Sequence, residues 1–134
     1  MTENEIAKQV VDAAYKLHST LGPGLLESVY EVILASELEQ RGLKVVRQLR
    51  VPVRWGELTF DEGFRADLVV DGKVVIELKS VEELAPVHKK QLLTYLRLTE
   101  TRLGLLVNFG ASLIKNGITR VVNGLPEAKP PQSA

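Results

Sequence analysis

The sequence predicts an α/β domain with a mixed central sheet flanked by helices. Two stretches with helical apolar periodicity fill the first 40 residues. An apolar hairpin follows around the Asp-Gly pair at 71–72, and a third helical stretch precedes a strand at 104–109 that shows no polar alternation. Such a strand is typical of a sheet that is covered on both faces. The order helix, helix, strand, hairpin, helix, strand, strand therefore favours a layered α/β fold.

The first two helices have clear boundaries. Thr2 and Glu5 have capping-box spacing, which predicts a helix from about Glu3 to Ser19. Gly22-Pro23-Gly24 ends it, because proline and two glycines cannot extend a helix cheaply. A second helix is predicted from about Leu25 to Gln40. Its expected buried stripe is Leu26, Val29, Tyr30, Ile33, Leu34 and Leu38.

A half-buried strand is predicted from Lys44 to Arg54. Its odd positions are apolar except for Arg47, and its even positions form a basic outer face. Pro52 indicates a sheet edge, since proline cannot donate to a ladder. Such a face is usually just solvated, but it could also reach phosphates. The candidate nucleic-acid contacts are Lys44, Arg50 and Arg54. A separate short apolar piece is expected at Leu58–Phe60.

The hairpin from Arg65 to Ser80 holds the candidate chemistry, namely Asp67, Glu77 and Lys79 near strand ends. Glu77 and Lys79 are two apart, so on a strand they point to the same face. Whether Asp67 joins them depends on the turn.

Two turns are compatible with the pattern. A two-residue loop at Asp71-Gly72 would place Asp67 opposite Ile76 and put the two carboxylates on opposite faces. A three-residue loop of Val70, Asp71 and Gly72, with a left-handed glycine, would bring Asp67 and Glu77 onto one face. We expect the three-residue loop.

Two neighbouring carboxylates repel each other as anions, and a hard divalent cation relieves that repulsion. A lysine beside them can orient a water or neutralise charge that develops on a phosphate. The alternative is a solvent-facing Glu–Lys pair on an edge strand, with Asp67 starting a turn. A short motif alone does not separate the two interpretations.

A third helix is predicted from Pro86 to Leu98, where proline suits the first turn. Gln91 and Tyr95 are four apart and share one face of it. His88 is expected to be a surface or capping residue, with metal binding as the minor alternative. A last strand is expected at Ile118–Val122, after a turn at Asn116-Gly117.

Composition bounds the class of protein. The 134 residues suggest one domain over residues 1–125, followed by a mobile Pro-rich tail over 126–134. The absence of cysteine fits a reducing compartment, so a cytoplasmic location is expected, and no apolar run suggests a signal peptide or a membrane span. A formal net charge of zero argues against strong non-specific binding of nucleic acid by a monomer.

The element order and four motifs resemble the PD-(D/E)XK nuclease superfamily over about residues 6–122. Gly24-Leu-Leu-Glu27-Ser-Val-Tyr30 is similar to the signature of the GxxExxY proteins, a bacterial family placed in that superfamily. Asp67 matches the superfamily's second-strand aspartate, although Ala66 stands where the motif has proline. Glu77-Leu78-Lys79 matches E-x-K, and Gln91-x-x-x-Tyr95 resembles the Q-x-x-x-Y motif of RecB-type nucleases.

The resemblance implies a phosphodiesterase that uses Mg²⁺ or Mn²⁺ and acts on nucleic acid, with DNA favoured. Asp67, Glu77, Glu27 and the carbonyl of Leu78 would hold the ion, and Lys79 would act on water or phosphate. Gln91 and Tyr95 would orient these groups. For Glu27 the alternative is a first-turn residue that complements the helix dipole.

Two other functions are compatible with the sequence. The protein could be a binding or regulatory module without turnover, or a structural subunit of a larger assembly. A homodimer is the expected oligomer, because symmetric pairs are the commonest.

Overall fold

The computed structural model describes residues 1–126. The predicted tail falls almost wholly on residues 127–134, which lie outside the described residues. The helices are α1 (Glu3–Leu21), α2 (Glu27–Gln40) and α3 (Pro86–Thr99), and a short 3₁₀ helix spans Ile114–Asn116. The strands are β1 (Val45–Trp55), β2 (Leu58–Val70), β3 (Val74–Lys79), β4 (Leu103–Asn108) and β5 (Ile118–Val122). Within the described range, no helix is long and apolar enough to cross a membrane.

The five strands form one sheet in the order β1-β2-β3-β4-β5. All neighbours are antiparallel except β3 and β4, which run parallel and are joined through α3. The predicted mixed sheet flanked by helices is therefore confirmed. β1 lies at the sheet edge, as Pro52 indicated.

Helices cover both faces of the sheet. Side chains of α1 and α2 pack with Leu68 and Ile76 on one face, which we call the α1–α2 face. Side chains of α3 pack with Val69 and Val75 on the other, the α3 face. The alternation of side chains along β2 and β3 thus places neighbouring residues in two separate apolar layers.

β2 corrects the prediction of a separate short piece at Leu58–Phe60. It is one strand of 13 residues that pairs with β1 from Leu58 to Val70. The register shifts between Val51 and Val53, where β2 carries extra residues. Gly63 lies in that bulge, and a Cβ atom there would overlap the side chain of Val53. The close approach of the two strands therefore requires glycine at this position.

β1 also changes faces, which divides the predicted basic face. Val45 packs against the α1–α2 face, whereas Val51 belongs to the α3 face, although both are odd-numbered. The change occurs at Gln48, whose φ of 51° is left-handed. Lys44 therefore lies on the side of Val46 and Leu49, where it lines a shallow groove. The following even positions, Arg50 and Arg54, point to the opposite side.

Tyr30 closes the connection between α1 and α2. Its ring is fully buried and stacks on Phe109, with ring centroids 4.4 Å apart. Its hydroxyl donates to the carbonyl of Gly22 (2.5 Å) and accepts from the N–H of Leu25 (3.2 Å). The carbonyl of Leu25 in turn accepts from the hydroxyl of Ser80, directly after β3 (2.8 Å). The Gly-Pro-Gly loop is thus fixed against the end of the central strand.

Replacing Tyr30 by phenylalanine tests this clamp. The change keeps the stacked ring but leaves two backbone groups without their partner, so we expect a loss of about 1–2 kcal/mol of stability in urea unfolding. Tyr15→Phe is the matched control, because Tyr15 lies on α1 and is 43% exposed. Equal losses in the two variants would show that the hydroxyl of Tyr30 does not stabilise the loop.

Candidate active site

The turn between β2 and β3 sets the register of the site. Val70 pairs with Val74, so the loop is Asp71–Lys73 and not the predicted Val70–Gly72. Asp71 and Gly72 are both left-handed, with φ of 51° and 65°, and the N–H of Lys73 donates to the carbonyl of Val70. Three loop residues preserve parity, as expected. The register that pairs Leu68 with Ile76 then places Asp67 opposite Glu77.

Asp67 and Glu77 are in direct contact. The N–H of Asp67 donates to Oε1 of Glu77 (3.4 Å), and Oδ2 of Asp67 accepts from the N–H of Leu78 (2.8 Å). These contacts lie just past the last paired residues of β2 and β3. Side-chain oxygens therefore replace ladder carbonyls at the point where the two strands separate.

Glu77 is held in an environment that opposes its ionisation. Burial, and then the negative charge of Asp67, raise the pKa of the Glu77 carboxyl to about 9. Lys79 acts in the other direction but more weakly. At neutral pH, and without a cation, the Glu77 carboxyl is therefore mainly protonated.

Lys79 ends β3 on the same side of the strand as Glu77. It is partly buried and lies in register with Asn108 of β4. Among residues 1–126 it takes part in no ion pair within 4 Å. Its ammonium is therefore not committed to a carboxylate of the described chain.

Tyr95 reaches the site from α3. Its ring stacks on Phe64 of β2, with centroids 3.9 Å apart and planes 1° from parallel. Burial, followed by the charges of Glu77 and Asp67, raises the pKa of the Tyr95 phenol. Tyr95 thus lies within the electrostatic reach of both carboxylates. Gln91, one turn earlier on α3, is exposed.

Glu27 does not lie beside Asp67 and Glu77, although the resemblance implied that it would. It is the first residue of α2, is exposed, and lines a shallow pocket with Ser80. In the described part of the chain, no three Asp, Glu or His side chains are close enough together to hold a metal ion. The structure therefore does not join Glu27 with Asp67 and Glu77, and its position fits the dipole-complementing alternative.

A different glutamate of α2 does reach the site. The side chain of Glu31 is 7% exposed, and its Oε2 accepts from Nε and Nη2 of Arg47 at 3.1 and 2.9 Å. The Nε2 group of Gln48 donates both to Oε1 of Glu31 and to Oδ1 of Asp67, the latter at 3.3 Å. A chain of contacts thus runs from α2 through β1 to Asp67.

The predicted stripe of α2 was correct for Tyr30, Leu34 and Leu38 but did not include Glu31. Leu26 and Val29 are exposed, at 73% and 39%, and the buried face extends instead to Glu31 and Ala35. Its buried members are Tyr30, Glu31, Leu34, Ala35 and Leu38. Two signals were present: Glu31 shares the spacing of Leu34 and Leu38, and Arg47 interrupts an apolar alternation. These two residues, Glu31 and Arg47, form the ion pair described above.

With this geometry in place, comparison with known families decides the assignment. The model of the PD-(D/E)XK nuclease superfamily matches residues 4–121. The chain belongs to this superfamily. No curated protein and no solved structure matches the chain. Members of the PD-(D/E)XK superfamily are generally nucleases, so nucleic acid is the substrate class that membership indicates.

The chemistry of Asp67 and Glu77 at this candidate site fits a divalent metal ion. Asp67 and Glu77 offer hard oxygen donors, and burial, followed by repulsion from the negative charge of Asp67, raises the pKa of Glu77. A cation between them would remove that repulsion. Two carboxylates suit an ion such as Mg²⁺, which keeps several of its waters.

The other candidates lie outside this contact network. Lys44 is on the α3 face, which is also the face of Glu77 and Lys79, whereas Arg50 and Arg54 are on the other side of β1. Arg50 lies 3.8 Å from Glu62 in an exposed ion pair. His88 accepts from the N–H of Ala85 through Nδ1 (3.1 Å) and so caps α3, in line with the expected capping role.

The raised pKa of Glu77 predicts a specific pH dependence in chelator. Folding favours the protonated carboxyl, so its stabilising effect is complete below the unfolded pKa of 4.5 and is lost as pH rises through about 9. Glu77→Gln cannot ionise. We therefore expect the parent to match this variant at pH 5 and to melt at least about 5 °C lower at pH 9. Melting curves in EDTA that fall in parallel for both proteins would contradict this assignment.

Proposed function

We propose that the protein is a metal-dependent nuclease that hydrolyses phosphodiester bonds. The observation that carries the proposal is the direct opposition of Asp67 and Glu77, with Lys79 on the same strand face. Structural ion pairs place opposite charges together, whereas this site brings two acids into contact in a partly buried position. Superfamily membership supports the same function.

Asp67 and Glu77 would hold a divalent ion, Mg²⁺ or Mn²⁺, with the carbonyl of Leu78 as a further oxygen donor. When bound, the ion would polarise the phosphate and lower the pKa of a coordinated water. Asp67 already accepts from the N–H of Leu78, which fixes its carboxylate against β3. The carboxylates are thus oriented before any cation arrives.

Lys79 would neutralise charge that develops on the phosphate or position the attacking water. It is available for this, because no carboxylate of residues 1–126 lies within ion-pair distance of its ammonium. Tyr95, held by its stack on Phe64, would orient the substrate phosphate or the lysine. Gln91 is exposed on the same helix and would contact the substrate.

Cations on the α3 face would bind the phosphate backbone, for which we favour DNA. Lys44 lies on that face, and α3 itself carries Lys89, Lys90 and Arg97 with no acidic residue. The formal net charge is zero, but the basic side chains are thus unevenly distributed over the surface. Arg50 and Arg54 would contact the backbone only if the substrate wraps around the edge strand.

The chain also has features of a narrower group and of a possible pair of chains. The Gly24–Tyr30 signature supports membership in the GxxExxY group, and its tyrosine has a defined role in closing the α1–α2 loop. Pairing of two chains into a homodimer would double the basic surface available to a polyanion.

A cleavage assay with Lys79→Ala tests the chemistry. Single-stranded, duplex and branched substrates are incubated with Mg²⁺, Mn²⁺ or chelator. If Lys79 acts on the transition state, the variant should lose at least about a hundredfold in turnover. Its affinity for substrate, measured in Ca²⁺, should change little, because that interaction is made in the transition state.

Lys8→Ala is the matched control for a lost positive charge. Lys8 is exposed on α1, across the sheet from the site, so neither turnover nor binding should change. If Lys79→Ala cuts as well as the parent, the proposed chemistry is wrong. Binding without any cleavage by the parent would instead support a non-catalytic module on a nuclease fold.

A further inference from the structure

Gln48 combines two features that rarely occur together in a strand. It lies inside β1, between the pairs Arg47–Leu68 and Leu49–Ala66, yet its backbone is left-handed at φ 51°. A side chain at such a φ is unfavourable, and glycine is the residue that adopts it freely. The sequence nevertheless has glutamine here, so what its side chain contacts is of interest.

The amide of Gln48 joins two carboxylates. Its Nε2 group donates to Oδ1 of Asp67 at 3.3 Å and to Oε1 of Glu31 in a closer contact. Because Oδ2 of Asp67 accepts from the N–H of Leu78, each oxygen of Asp67 has one N–H partner. One partner is backbone, and the other is the side chain of Gln48. The carboxylate plane is therefore fixed from two sides.

Glu31 provides a rigid anchor for this amide. It is buried on α2, and Arg47 donates twice to its second oxygen. A buried carboxylate that is bound this way does not reorient easily. The left-handed turn at Gln48 lets Arg47 and the amide of Gln48 both meet Glu31, whereas adjacent residues of a regular strand point to opposite faces.

We propose that Gln48 is a positioning residue that holds Asp67 in the orientation needed to share a cation with Glu77. The identity of that cation rests on the proposed function, but the contact with Asp67 does not. The left-handed backbone of Gln48 is tolerated because its amide links the α2 carboxylate to the site. Gln48 touches neither substrate nor reacting atoms in this role.

The variant Gln48→Gly distinguishes this positioning role from a role in which Gln48 only changes the direction of β1. Glycine suits the left-handed backbone and keeps the face change of β1, but it removes the amide. Glu100→Gly is the matched control, since Glu100 is exposed and left-handed at φ 54° at the end of α3. Gln48→Met keeps the length of the side chain but removes the Nε2 donor. This second variant replaces Gln48→Gly in the measurements if the glycine variant does not fold.

The first measurement needs no metal. The amide of Leu78 is protected by Asp67, so hydrogen exchange at Leu78 should be at least about tenfold faster in Gln48→Gly than in the parent. The amide of Val10 in α1 should exchange unchanged. The second measurement is calorimetric titration with Mn²⁺, where we expect an affinity about 10–100-fold weaker, the range for groups that orient a ligand. Glu100→Gly should match the parent in both.

The outcomes distinguish the two proposals. Unchanged Leu78 exchange in Gln48→Gly, or in Gln48→Met, overturns the positioning role whether or not the parent cleaves nucleic acid. Faster Leu78 exchange in a protein that binds no Mn²⁺ supports the positioning role and refutes the proposed metal site. Faster exchange together with weakened Mn²⁺ binding supports both.

Discussion

The structure depends on one unfavourable interaction, the close approach of Asp67 and Glu77 across the β2–β3 hairpin. Burial of Glu77, and then the negative charge of Asp67 beside it, raise the pKa of the Glu77 carboxyl to about 9. The fold enforces this approach through register. Asp71 anchors the turn, because its carboxylate accepts from the N–H of Lys44 and its N–H donates to the carbonyl of Lys44, each at 2.8 Å.

The surrounding layers hold that register in place. β3 is central in the sheet and is buried on both faces, so a one-residue slip would move Val75 and Ile76 into each other's layer and disrupt the packing of both. Past Leu68 the two strands separate, and side-chain contacts of Asp67 take over from the ladder. The candidate site thus forms where the paired part of the two strands ends, with its side chains still held by backbone contacts.

Much of this arrangement was predictable from sequence, because it depends on local signals. Capping residues, glycines and periodicity located the helices, and strand parity placed Glu77 with Lys79. The turn was displaced by one residue, since the bond from Asp71 to Lys44 is a long-range contact that local turn rules do not include. The sequence also indicated Asp67, Glu77 and Lys79 as candidates, and the structure places Asp67 beside Glu77, with Lys79 on the same face of β3.

The remaining part of the site was not predictable by these rules. α2 is apolar around much of its circumference, so its buried face is decided by what it packs against, and this concealed Glu31. The face change at Gln48 likewise divides a basic row that simple alternation had joined. Both errors concern tertiary contacts between α2 and β1, which pair Glu31 with Arg47 and Gln48.

The central claim is that Asp67 and Glu77 share a divalent cation. Crystals grown with millimolar Mn²⁺, measured at a wavelength where manganese scatters anomalously, test it most directly. The predicted result is an anomalous peak within about 2.0–2.5 Å of a carboxylate oxygen of each residue. The same data from Glu77→Gln should lack that peak. A manganese peak elsewhere in the parent, with none between Asp67 and Glu77, would contradict the account.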